Sequence, residues 1–399
     1  MKIIQINSTY NVGSTGRIVE GIAVAARRRG HLAKAVYGRR AGTGPTETFR
    51  IGSAADTALH GVMSIAADGH GLGSKRATKR LTAWLDEEDP DIVGLHNLHG
   101  YYINVPLVFE YLASKKIPVL WTLHDCWAFT GHCSYFDRVS CERWIEGCHA
   151  CPMTSFYPRS FVDRSERNWE WKKALLRDFR NLTIITPSHW LAGLVGQSFL
   201  GAHPVHVIHN GVDLEVFQPK AKRRSKSVLG VAHVWDDRKG LMDFIALRQV
   251  LSDEWEIKLV GLEKKQIREL PRGVTGIERT SSPEELAVLY SEATAFVNPT
   301  YSDNFPTTNI EALACGTPIV TYRTGGSPEA VSVKTGRVVD RGDVAGLAAA
   351  LYEIASVPGD PWTQACRDHA VANFSAADRF ADYVGLAESL VEIHQSVAV

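Results

Sequence analysis

Short apolar runs alternate with helix-length amphipathic segments along this chain, and the alternation runs through twice. Lys2–Ile6 reads as a buried strand, followed by a Gly-rich turn and a helical run over Ile18–Arg29. Strands are expected again at Ala33–Tyr37, Ile92–Leu95, Pro118–Leu123, Leu182–Thr186 and Val205–His209, with helices at Thr78–Asp86 and Val105–Lys115. Strands separated by helices cannot pair as hairpins. Each must cross over and lie parallel to the last, with helices covering both sheet faces. The polar, basic stretch 218–226, with Pro219 near its start, interrupts the pattern and reads as a solvated linker. Strands then resume at Val228–Ala232, Glu256–Val260, Ala295–Asn298 and Pro318–Thr321. Ser282, Pro283 and Glu285 mark a helix start, as cap, first helical residue and third. The expected architecture is α/β, with doubly wound domains at 1–217 and 227–375 and a helix at 376–399 returning to the first.

A length of 399 residues suits two such cores. Lys+Arg and Asp+Glu both number 44, which argues against a nucleic-acid partner, since phosphate binding needs a basic excess. No run approaches the roughly 18 apolar residues of a membrane span, and the N-terminus lacks a signal-type apolar stretch. A cytoplasmic location, or one at the inner face of the membrane, is the expectation. Between Phe156 and Asp178, Arg159, Arg164, Arg167, Lys172 and Lys173 are interleaved with Phe161, Trp169 and Trp171. That segment fits an amphipathic helix packed on the sheet, or a peripheral contact with anionic lipid.

The stretch from Asn298 to Pro318 carries the most chemistry. A strand ends at Asn298, a polar loop holds Asp303, Asn304 and Phe305, and a helix begins near Thr307 and Thr308 with Glu311 in its second turn. A helix N-terminus offers free amides and partial positive charge to a diphosphate. Glu311 can accept hydrogen bonds from ribose hydroxyls and Asp303 from sugar hydroxyls. Spacing alone fits equally a capped helix with two solvated acids.

Acid-x7-Glu followed by Ala-Leu-Ala-Cys-Gly-Thr-Pro resembles glycosyltransferase family four, and the Asp303-Asn-Phe-Pro variant resembles its colanic-acid and exopolysaccharide branch. The family usually has Glu where this chain has Asp303. The resemblance implies the GT-B fold, two Rossmann-like domains facing a central cleft, and transfer from a UDP- or GDP-sugar with retention of configuration. It implies a glycan, lipid-linked or small-molecule acceptor, no protein nucleophile and no cofactor required for catalysis. By the same resemblance Lys239 and Arg238, in Val231–Gly240, neutralise the donor diphosphate. His233 stands where the family carries a second cation. His124 lies near the transferred sugar and Asp125 orients a neighbour. Gly13, Ser14 and Gly16 bring backbone close to a phosphate or sugar. Gly325–Glu329 forms a donor-side loop, and Asn210-Gly211 a structural turn. A sugar-nucleotide epimerase of the same fold, or a non-catalytic sugar-nucleotide-binding protein, are the alternatives.

Cys133, Cys141, Cys148 and Cys151 crowd into one loop, an insertion spanning 126–151. A structural zinc on four thiolates, free buried thiols and disulfides all fit, with His132 and His149 as substitute ligands.

Overall fold

A computed structural model describes residues 1–398. The first sheet contains β1 (Lys2–Tyr10), β2 (Leu32–Ala41), β3 (Glu47–Arg50), β4 (Ile92–Leu95), β5 (Val119–Thr122), β6 (Leu182–Thr186) and β7 (Val205–Val207). The second contains β8 (Ser227–Val231), β9 (Glu256–Val260), β10 (Val274–Ile277), β11 (Ala295–Asn298), β12 (Ile319–Tyr322) and β13 (Gly336–Val339). Every recorded pairing in both is parallel, in the orders β3-β2-β1-β4-β5-β6-β7 and β10-β9-β8-β11-β12-β13. Central strands such as β4, β5 and β11 are buried along their whole length, as helices on both faces require. In each sheet the strand order reverses once, between β1 and β4 and between β8 and β11. Loops leaving the strand C-termini diverge there and open a crevice.

The chain divides into two compact units, Met1–His209 with Arg379 onward, and Asn210–Asp378. The first run of chain ends before residue 217, because Val212 and Phe217 are buried in the second unit's core. Val212 donates its N–H to Phe374 O at 2.8 Å, and Ala376 donates to Val212 O at 3.0 Å, where the chain enters and leaves that unit. A Cβ on Gly211 would lie 2.4 Å from Ala376 Cα, so only glycine lets the two passes approach. The closing helix, Ala376–Ala398, buries Tyr383, Val384, Ala387 and Val391 against Ile18 and Ile22. Its Glu388 pairs with Arg29 and His31.

Three departures from the sequence reading have local causes. β3 and the helix Ala54–Ala67 were not anticipated, since β3 is a mostly exposed polar edge strand without alternation. The first helix spans Gly13–Arg28, so the glycines form its first turn instead of a loop before it. The basic 218–226 stretch is not a free connector. Arg223 donates to the carbonyls of Ala293, Thr294 and Gly316 and to Thr363 Oγ1, and pairs with Asp360. Arg223→Met should lower the unfolding free energy by about 2–4 kcal/mol, read by urea titration, because it strips several carbonyls of their donor. No helix among the described residues is long and apolar enough to cross a membrane.

Candidate functional site

In the second domain the loops after β8 and β11 flank the reversal of strand order and meet at one ion pair. Lys239 Nζ lies 2.5 Å from Asp303 Oδ2, with both side chains mostly buried. Lys239 ends a single 3₁₀ turn, Asp237–Lys239, capped by Asp236, whose side chain accepts from Arg238 N. Arg238 lies beside Lys239 on the same turn. Its Nη1 donates to Ser302 O at 2.9 Å, which ties the β8 loop to the β11 loop. His233 is exposed at the start of the same loop.

The helix Thr307–Ala314 begins at Pro306 with no side-chain cap, so its first-turn amides lack a side-chain acceptor. Thr307 and Thr308 are half-buried at that turn. Tyr290 OH donates to Glu311 Oε2 at 3.1 Å and fixes the carboxylate. Asn304 and Phe305 are both buried, and the Phe305 ring packs in the core 5.7 Å from Phe374. Phe305 can therefore offer a ligand only backbone. Its carbonyl already accepts from Asn210 Nδ2 at 3.0 Å, which gives that asparagine a structural task.

A buried polar clasp holds this constellation. Asn298 Nδ2 donates to Asn309 Oδ1 at 2.8 Å, Asn309 Nδ2 donates to Ser327 Oγ at 3.0 Å, and Thr321 Oγ1 donates to Asn298 O at 2.8 Å. Gly326 donates its N–H to Asp303 O at 3.2 Å, so the Gly-Gly turn supports the acidic loop. The pairing of Asn298, Asn309 and Ser327, and the support Tyr290 gives Glu311, escaped the sequence reading. Their apolar neighbours mark only strand and helix, and nothing local says which polar atoms pair.

In the first domain His124 follows β5, and its ring is set by two residues from other strands. Gln5 Oε1 accepts from His96 Nε2 at 2.7 Å, so His96 Nδ1 is an acceptor and takes the proton of His124 Nε2 at 3.0 Å. With Gln5 in this orientation, His124 presents Nδ1 as a lone pair. Burial pushes His124 down to about 4 against the pull of Asp125, so it is neutral at physiological pH. Asp125 accepts from His99 Nε2 at 2.7 Å and from Trp127 N at 2.9 Å, and His99 Nδ1 contacts Tyr157 OH at 2.8 Å. Asp125 thus orients His99. Gly16 packs tightly, since a Cβ would lie 3.0 Å from Asn11 N, whereas Gly13 and Ser14 are exposed at an uncapped helix start.

In the cysteine-rich loop Gly131 donates its N–H to Cys148 Sγ at 3.1 Å, with Cys133 buried and Cys148 and Cys151 half-buried. Cys141 packs beside them, half-buried, and Arg143 donates to His149 O at 3.0 Å. Lys172 is not a surface cation. It is buried, donates to Trp127 O and Thr130 O, and sits 3.5 Å over the Trp127 ring. Burial pushes its amine down to about 7.

The model of Glycosyltransferase Family 4 matches residues 15–216, and that of Glycosyl transferases group 1 matches 225–356. The WcaC protein of Escherichia coli (strain K12), named for colanic acid biosynthesis glycosyl transfer, is 26% identical over 270 residues, 64% of this chain and 65% of that one. The chain therefore spans just under two thirds of that relative's length, and 50% of an MMP alpha-(1->4)-mannosyltransferase of Mycolicibacterium hassiacum. Among solved structures, sucrose-phosphate synthase of Thermosynechococcus elongatus superposes with a TM-score of 0.71 at 19% identity, covering 98% of this chain and 100% of that one. With the first family model spanning half the chain and both parallel sheets in place, the chain belongs to glycosyltransferase family 4 and has the GT-B fold.

Proposed function

We propose that the chain is a retaining glycosyltransferase that moves a sugar from a UDP- or GDP-linked donor to a hydroxyl of a glycan, lipid-linked or small-molecule acceptor in polysaccharide synthesis. The Lys239–Asp303 contact carries this reading, because it sets one cation beside an uncapped helix N-terminus at the reversal of strand order. That is where a doubly wound sheet binds a diphosphate.

In the proposed step the bond from the anomeric carbon to the phosphate oxygen breaks as the acceptor oxygen bonds from the same face. The acceptor proton passes to the departing phosphate oxygen, and the nucleoside diphosphate leaves. Lys239 and the amides at Thr307 and Thr308 meet the charge that develops on that oxygen. Asp303 holds Lys239 in line and accepts from sugar hydroxyls, and Glu311 holds the ribose. Positioning supplies the rest.

Glu311→Gln should raise the donor KM about 10- to 100-fold, the worth of hydrogen bonds to a charged acceptor. Steady-state kinetics with UDP- and GDP-sugars checks this, and an unchanged KM counts against the ribose contact. NMR of the product decides the stereochemistry: an α-linked product from an α-linked donor is expected, and a β-linked one overturns retention. Interconversion of the donor sugar without acceptor would favour the epimerase instead.

A further inference from the structure

A second group of metal-ligating side chains lies in the first domain, outside the residues assigned to sugar transfer. Asp68, His70 and His132 are 0%, 2% and 1% exposed. One ligand atom from each lies within 4.8 Å of the others. Asp68 Oδ1 is common to both rings, 2.7 Å from His132 Nδ1 and 3.8 Å from His70 Nε2. The other nitrogens, His70 Nδ1 and Nε2 and His132 Nε2, are buried without a hydrogen-bond partner. Buried polar atoms are ordinarily paired. A histidine with both nitrogens orphaned gains nothing here over phenylalanine unless something binds it.

We infer that Asp68, His70 and His132 hold a divalent transition-metal ion of the zinc class. Two imidazoles and a carboxylate suit zinc and its neighbours, whereas calcium and magnesium prefer oxygen alone. The surrounding bonds keep the ligands in place. Asp68 Oδ2 accepts from Arg164 N at 3.0 Å, and Asp68 O accepts from Asn168 Nδ2 at 2.7 Å, which turns Oδ1 toward the two rings, where the ion would replace the proton now shared with His132 Nδ1. Asp68 ends the helix Ala54–Ala67 in the left-handed conformation (φ 49°), a sharp turn just ahead of His70. Asp68 supplies the site's negative charge, and the buried Lys172 amine is engaged by the carbonyls of Trp127 and Thr130. His132 lies beside Cys133, so the ion pins the 68–70 turn to the loop that follows His124 and Asp125. The four nearby thiols are the competing set.

The test is metal content of the full chain, reconstituted with zinc and freed of excess without chelator. The wild type should retain about one zinc, and Cys148→Ala should retain it too. His70→Leu and Asp68→Asn should each lose it. The cobalt-substituted protein should show ligand-field bands without a thiolate-to-cobalt charge-transfer band. His70 makes no hydrogen bond, so His70→Leu should keep the circular dichroism of the metal-free protein. Should it fail to fold, Asp68→Asn decides, since its amide oxygen can still accept from Arg164. A zinc-free wild type, zinc retained in the folded variants, or zinc lost in Cys148→Ala with a strong thiolate band overturns the assignment.

Discussion

Lys239→Ala lowers kcat/KM for the donor about 10³-fold while thermal unfolding hardly moves. The large kinetic effect follows from where the cation acts. Charge gathers on the departing phosphate oxygen in the transition state, and removing one preorganised partner at such a place costs about 10²–10³ in rate. The Lys239 side chain is 20% exposed and paired with an Asp303 that is 15% exposed. The Asp303 carboxylate left behind keeps access to water, so the cost to folding stays at about 1 kcal/mol. Initial rates at limiting donor, with a parallel melting curve, check the prediction. Near-normal turnover in a folded Lys239→Ala protein would remove the proposed phosphate site.

Gly325→Ala should abolish more than 99% of activity (roughly a 10²-fold loss, the scale of misplacing a catalytic group) and destabilise the second domain by about 2–4 kcal/mol. Gly325 has φ +53°, and a Cβ there would lie 1.8 Å from the Asp303 carbonyl oxygen. The methyl must push the acidic loop away, which breaks the Gly326 N–H bond to Asp303 O and draws the Asp303 carboxylate off Lys239. Gly359→Ala, in the same domain, is the matched control. It too sits at positive φ, +78°, but nothing lies within 4 Å of the new carbon. It should cost only about 1–2 kcal/mol of backbone strain. Urea unfolding and donor kinetics on both variants separate loop displacement from strain. Equal activities would show that the 303 loop need not be held where it is.

Parallel strands buried on both faces must be continuous apolar runs, so β4, β5, β6 and β11 stand out in the residues with no tertiary knowledge. A strand end, a polar loop and a helix start are likewise local features. The Asp303-to-Glu311 segment was legible for that reason, down to the helix beginning at Thr307. Pairing between distant polar atoms has no such local mark. Gln5 reaches His96 across 91 positions and His96 reaches His124 across 28, and only the order of β1, β4 and β5 makes them neighbours. The inward turn of Phe305, the docking of Arg223 and the burial of Lys172 were decided in the same way. Composition marks each of these residues as polar or apolar. Which carbonyl, ring or cavity satisfies it depends on what the sheet topology brings alongside, because a desolvated polar atom must find its partner wherever the fold supplies one.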